Sequence, residues 1–386
     1  MTSKERVLLT VHHREPDRVP VGEFGIDHDH VSRILGRHTY HRNRKDTTLA
    51  LWDGRRDEVV EGMKRDYADL IDTLGYDLIT VDLVPPKGHD VADPPKQTGE
   101  GEWEDDSGNV YKYCPSNDSI QLMTHRDGKA ALDDGDIERA YEAAGHFDES
   151  AFELLDFMRE RYGDEKAIVF RNIDVYGSLL SPFGGDYTHQ LILSLLAPGE
   201  IKRMYGPALA YNKKLIDYCK KKGVTIAMQG TDLAMSTGCI ISPASIRDVY
   251  MPFMNIINDE IIKTDMVPFF HCCGRMWDIL GDYADAGYAG YQSVQQSAGM
   301  VWKDVKELYG NRMTIWAGVQ CETLTDGTLD ETEAEVEQAL CDLMPGGGFI
   351  FGSTNSVQFG AKTENYLKAL EVVREKGVYG QAVNYL

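Results

Sequence analysis

Apolar residues recur along this chain with two different periods, and the switch between them lays out its elements. Residues 267–274 read V-P-F-F-H-C-C-G, a short apolar run of strand length closed by a glycine. Comparable runs lie at 77–82, 167–172, 224–229, 290–294, 313–318 and 349–352, and R-V-P-V-G-E-F at 18–24 reads as a shorter strand ending at Glu23. Between these runs apolar positions return every three or four residues. That spacing predicts helices over 200–222, 243–264, 301–309, 330–343 and 363–376, with Ser242-Pro243 and Thr363 as helix starts. Residues 1–75 are expected to be a mainly helical extension around the first strand. Ser3 serves there as a cap, and Leu49, Leu51, Val59, Met63, Leu70 and Ile71 fall at helical intervals. A D-S-G-N turn separates two alternating segments within 101–113, so 96–126 is expected to be a β-hairpin insertion.

Eight strands alternating with helices specify an α/β fold of the (β/α)8 TIM-barrel type, as a single domain over 1–386, with its chemistry at the strand C-terminal ends. An open doubly wound sheet is the alternative, but no G-x-G-x-x-G follows a first strand and there is no Walker loop. The triple glycine at 346–348 precedes a strand and reads as a turn.

Composition narrows the function classes. A net charge of −22 argues against nucleic-acid binding, which needs a basic face. The seven cysteines are odd in number and lack a disulfide rhythm, and the start M-T-S-K-E-R-V has no signal-peptide core. No apolar run approaches the roughly 18 residues of a membrane span. A reduced, cytoplasmic enzyme with thiols free for metal or catalysis is the expectation, and a homo-oligomer is compatible with it.

The polar residues at or just past the expected strand ends are Glu23, Asp82, Asp174 with Tyr176, Asp232, His271 with Cys273, Gln292, Cys321 with Glu322, and Asn355. Side chains alternate along a strand, so His271 and Cys273 share one face and Cys272 points the other way. A histidine nitrogen and a cysteine sulfur so placed can grip one Zn²⁺. Cys321 lies just past the strand two places further round and is expected as the third ligand, with Glu322 or Asp232 completing or replacing a ligand. A His, Cys, Cys set with an open fourth position has the composition of a catalytic zinc. Asp232, Glu23 and Asp174 are the candidate catalytic carboxyls. Tyr176, Phe183, Tyr187, Gln292 and Asn355 are candidate substrate contacts. The cluster Asp27, His28, Asp29, His30 is expected to be a solvated loop.

These residues also carry a resemblance. Asp17-Arg-Val-Pro20, Gly177-x-x-x-x-Pro182-Phe183, Gly230-Thr-Asp232 with Ile240-Ile-Ser-Pro243, Phe270-His-Cys-Cys-Gly274, Pro345-Gly-Gly-Gly-Phe-Ile350 and Thr363-Glu-Asn365 together resemble the uroporphyrinogen decarboxylase superfamily. Within it the chain is most similar to the cobalamin-dependent methyltransferase branch, whose fold is a TIM barrel. Decarboxylases of the family carry an arginine-rich motif after the first strand, where this chain has Glu23-Phe-Gly-Ile-Asp-His-Asp29. The methyltransferase branch carries H-x-C as two zinc ligands, which falls on His271 and Cys273. Its thiol-methylating members take a third ligand, a cysteine, from the last strand, where this chain has Gly352-Ser-Thr-Asn355 instead. The resemblance implies a zinc enzyme of anaerobes that moves a methyl group between a small substrate, here a methoxyaromatic, and the corrinoid (cobalamin) of a separate partner protein. Alternatives are a metal-free decarboxylase of a small acid and a non-catalytic assembly subunit.

Overall fold

The computed structural model describes residues 1–89, 91–124 and 127–380. Seven parallel strands form one sheet: β1 (Leu78–Val81), β2 (Ala167–Ile173), β3 (Ile226–Gly230), β4 (Val267–Cys272), β5 (Gly290–Ser293), β6 (Thr314–Val319) and β7 (Phe349–Ser353). They pair in chain order. The strands are almost wholly buried because helices cover one face and the other faces inward, which is why they read as continuous apolar runs. The expected eighth strand, 18–24, is not a regular strand. It makes isolated bridges instead, with Phe351 N–H donating to the Pro20 carbonyl (2.9 Å), Gly22 N–H to Phe351 (3.1 Å) and Asp77 N–H to Val21 (2.7 Å). Pro20 has no N–H for a ladder. One step further on, the Glu23 carboxylate replaces a carbonyl and accepts from Ser353 N–H at 2.9 Å. This irregular segment joins the two sheet edges.

Inward-facing positions change character along the strands. Leu78, Val169, Met228, Phe269, Trp316 and Ile350 fill the lower interior, closed from below by Val7 and Val11 of the helix Ser3–Val11. Two residues on, the same face carries Arg171 after Val169 and His271 after Phe269, level with Gln292 on the neighbouring strand. The apolar layer is therefore a floor, and the polar layer above it opens at the strand C-terminal ends.

Several local expectations are corrected. Thr2, not Ser3, caps the first helix in a reciprocal pair with Glu5, and Ser3 Oγ reaches Asp77 at 2.6 Å. Residues 28–30 start the helix His28–Leu35 instead of a loop, and His30 is buried between Thr363 and the Gln358 carbonyl. Thr363 therefore does not cap the helix Thr363–Lys376, because its hydroxyl is engaged by His30. The excursion is larger than one hairpin. Strands Lys96–Gly99, Glu102–Glu104, Val110–Cys114 and Ser119–Leu122 form a four-stranded antiparallel sheet, and residues 125–126 of the expected insertion lie outside the described residues. The helical stretch 43–74 divides into Arg44–Trp52 and Arg56–Leu74.

Candidate metal centre

His271 sits near the end of β4 with its ring 5% exposed, stacked at 4.3 Å and 8° on Phe24. Its Nδ1 meets the side-chain oxygen of Gln292 on β5. Gln292 is itself fixed, because its amide donates to the Ser353 carbonyl at 3.0 Å. Only its oxygen can then face the imidazole, so His271 holds its proton on Nδ1 and turns the Nε2 lone pair to the barrel mouth. Burial is the main force on its pKa, and Arg171 reinforces it. Together they outweigh Asp232 and Gln292 and hold the ring below its ordinary value, hence neutral.

Asp232 arrives from the loop after β3. Thr231 anchors that loop by giving its N–H to the His271 carbonyl (2.8 Å), and Tyr187 donates its hydroxyl to the Asp232 carbonyl (3.3 Å). Gly274 lets the loop close on β4, since a Cβ there would lie 2.7 Å from Met235 N and its φ is +85°. The Asp232 carboxylate consequently stands 3.6 Å from His271 Nε2, 3.7 Å from Cys273 Sγ and 3.2 Å from Cys273 N. Asp232, His271 and Cys273 present one ligand atom each, all within 4.8 Å of one another, the one such group among the described residues. Burial first, and Asp232 second, push the Cys273 thiol up to about 11, so a cation must displace its proton to gain the sulfur. A neutral imidazole with its second nitrogen anchored, a thiol and a carboxylate fit Zn²⁺ with an open fourth position.

Cys321, expected as third ligand, lies outside this group. It lines the same cleft of about 410 Å³ as Cys273, with Glu322, Thr354 and Asn355, but its sulfur faces the Ser356 carbonyl at 3.6 Å, and burial holds its thiol up at about 12. Asp232 takes its place because the β3 loop folds over β4, whereas Cys321 begins a helix beyond β6. Glu322 is held on the rim by Ser297 (2.6 Å). Gln292, expected as a substrate contact, is fully buried, with its side chain engaged by His271 and the Ser353 carbonyl.

The other expected residues divide. Glu23 is buried in the seam, bonded to Ser353 and Tyr366, and burial raises its pKa to about 7. Asp174 is removed from the centre. Its carboxylate accepts Gly177 N–H at 2.7 Å in the first turn of the helix Tyr176–Leu180, and it lines a separate cleft of about 260 Å³. Phe183 is 1% exposed in the core, and Tyr176 packs on Tyr250 behind the sheet. Of these aromatic candidates Tyr187 reaches the cluster, and Asn355 lines the cleft. Sequence reading passed over Arg171, whose guanidinium lies 4.5 Å from the Phe24 ring and helps keep His271 neutral. An arginine inside the apolar run at 167–172 was the available signal.

Residues 186–376 match the uroporphyrinogen decarboxylase (URO-D) family. The matched span contains Asp232, His271, Cys273 and Gln292. No curated protein matches the chain. The structure superposes on a methyltransferase from Methanosarcina mazei with a TM-score of 0.64 and 19% identity, covering 97% of this chain and 98% of that one, which shows a shared fold. An endo-1,4-beta-mannanase from Rhizomucor miehei (TM-score 0.41, 9% identity, 81% and 90% covered) and a D-psicose 3-epimerase from Clostridium cellulolyticum H10 (0.38, 9%, 81% and 86%) overlap too little to bear on function. No helix among the described residues is long and apolar enough to cross a membrane.

Proposed function

We propose that this chain is a zinc-dependent methyltransferase. It would move a methyl group from a small methoxyaromatic, by O-demethylation, to the Co(I) of a corrinoid carried by a separate protein. The observation that supports this reading is the convergence of Asp232, His271 and Cys273 at the mouth of a URO-D-type barrel. Zinc held there supplies Lewis acidity to the oxygen that gathers charge as its methyl group departs. His271 offers Nε2 because Gln292 occupies Nδ1, and Asp232 is held to the cluster by Thr231 and Tyr187. The open cleft beside Cys273 leaves room for a substrate ring and for approach of a partner.

The test supplies the zinc-loaded protein with a reduced corrinoid protein and a panel of methoxyaromatics. Release of the phenol together with a change in the corrinoid spectrum is expected. Neither change across the panel, or carbon dioxide release from an aromatic acid by metal-free protein, overturns the reading.

A further inference from the structure

The cleft of about 260 Å³ beside Asp174, just past the end of β2, is left unused by the methyl-transfer reading. The helix Asp134–Gly145 lines it with Ala140, Ala143 and Ala144, and the helix Tyr205–Lys221 with Pro207 and Ala208. Such short side chains leave the space between the helices open. Apolar walls around a few polar groups have the composition of a ligand site.

The charge in this cleft belongs to Asp174, and it is not neutralised. Its Oδ1 accepts Gly177 N–H at 2.7 Å, but no Lys, Arg or His among the described residues pairs with it or lines the cleft. Burial pushes its pKa up, against the opposing N–H groups of Gly177 and Ser178, as a carboxylate without a basic partner should behave. Gly177 leaves the second carboxylate oxygen clear, since a Cβ there would lie 2.5 Å from Asp174 Oδ2. Tyr211 lines the same cleft and brings a hydroxyl close to this carboxylate. Burial first, and the Asp174 charge second, raise its phenol.

A cation is the complement of this arrangement, and the walls decide its kind. A bare metal ion needs several oxygen ligands, whereas one carboxylate and a few hydroxyls stand here among alanines and prolines. An ammonium on an apolar body satisfies both the charge and the walls. The volume lies below the roughly 300 Å³ at which sites for drug-sized ligands begin, so the body is small.

We propose that this cleft binds a small organic ammonium, a primary amine on a single ring or short alkyl chain, held by Asp174 Oδ2 and the Tyr211 hydroxyl. The site is separate from the barrel mouth and requires neither zinc nor methyl transfer.

The test is calorimetric titration of the metal-free full chain at neutral pH with benzylamine, which is then cationic, and with neutral benzyl alcohol. Benzylammonium is expected to bind about tenfold more tightly, the margin of one charge-assisted contact. Asp174→Asn keeps an acceptor for Gly177 N–H but removes the charge, and should abolish that margin. Ala143→Leu puts a larger side chain into the cleft from an exposed helix position. It should weaken benzylammonium binding by a similar factor, and it decides the matter should Asp174→Asn fail to fold. The other carboxylates placed to attract a cation, Glu322 and Asp326, line the mouth cleft. Glu322→Gln should therefore leave the margin intact. Equal affinities, no benzylammonium binding, a preference that survives Asp174→Asn and Ala143→Leu, or one that falls with Glu322→Gln overturns the inference. Methyl-transfer activity enters none of these readings, so failure here is distinct from failure of the proposed function.

Discussion

Replacing Glu23 by Gln is expected to remove a pH-dependent loss of stability from the seam that closes the sheet. Burial is the main reason that this carboxyl is raised from 4.5 to about 7, against the opposing hydrogen bonds from Ser353 and Tyr366. The folded state therefore binds the proton more tightly than the unfolded state. The contribution is neutral below the unfolded value, grows more destabilising as pH rises through the window between 4.5 and 7, and levels off above it. At about 1.36 kcal/mol per unit the full effect is about 3 kcal/mol, of which about 2.5 kcal/mol falls between pH 5 and pH 8. Gln keeps an oxygen to accept Ser353 N–H (2.9 Å) and Oγ–H (2.6 Å), so its stability should lack this slope. Urea unfolding of both proteins at pH 5 and pH 8 measures the difference, with all other titrations shared. The wild type should lose about 2.5 kcal/mol more than the variant. An equal change in both, or a larger loss in the variant, would refute the account of the seam.

Other expected outcomes are as follows. Gln292→Leu should weaken zinc affinity about 10- to 100-fold in a chelator competition, because His271 loses the acceptor that fixes its tautomer. Gly274→Ala should lower the midpoint of thermal unfolding by an amount equivalent to about 1–3 kcal/mol and loosen zinc as well, since the new Cβ meets Met235 N at 2.7 Å with φ at +85°. Thr328→Ala breaks the reciprocal cap with Glu331 at the start of the helix Leu329–Leu343 and should cost about 1 kcal/mol in urea unfolding, without altering metal binding.

The strands were legible because both of their faces are buried. Residues 267–272 stand where the apolar run places them, and those at 167, 290, 314 and 349 start within a residue of expectation. The irregular segment 18–24 was not legible, since its closing contacts come from Pro20, Gly22 and a Glu23 side chain, which no periodicity records. Period-2 alternation was enough to place His271 and Cys273 together. It says nothing about which loop folds over them, and that is why Asp232, brought in by Thr231 and the clearance at Gly274, displaced Cys321. Asp174 shows the converse error. A carboxylate three residues before Gly177 met the N–H of that residue in the following helical turn and is held there.

The most direct measurement is the zinc content of the purified chain and of its Cys273→Ser, Asp232→Asn and Cys321→Ser variants after equal exposure to zinc and removal of loose metal. The geometry predicts one zinc per chain in the wild type and in Cys321→Ser, with loss in Cys273→Ser and Asp232→Asn. A wild type that holds no zinc, or a Cys321→Ser variant that loses it while Asp232→Asn keeps it, would contradict the metal centre described above.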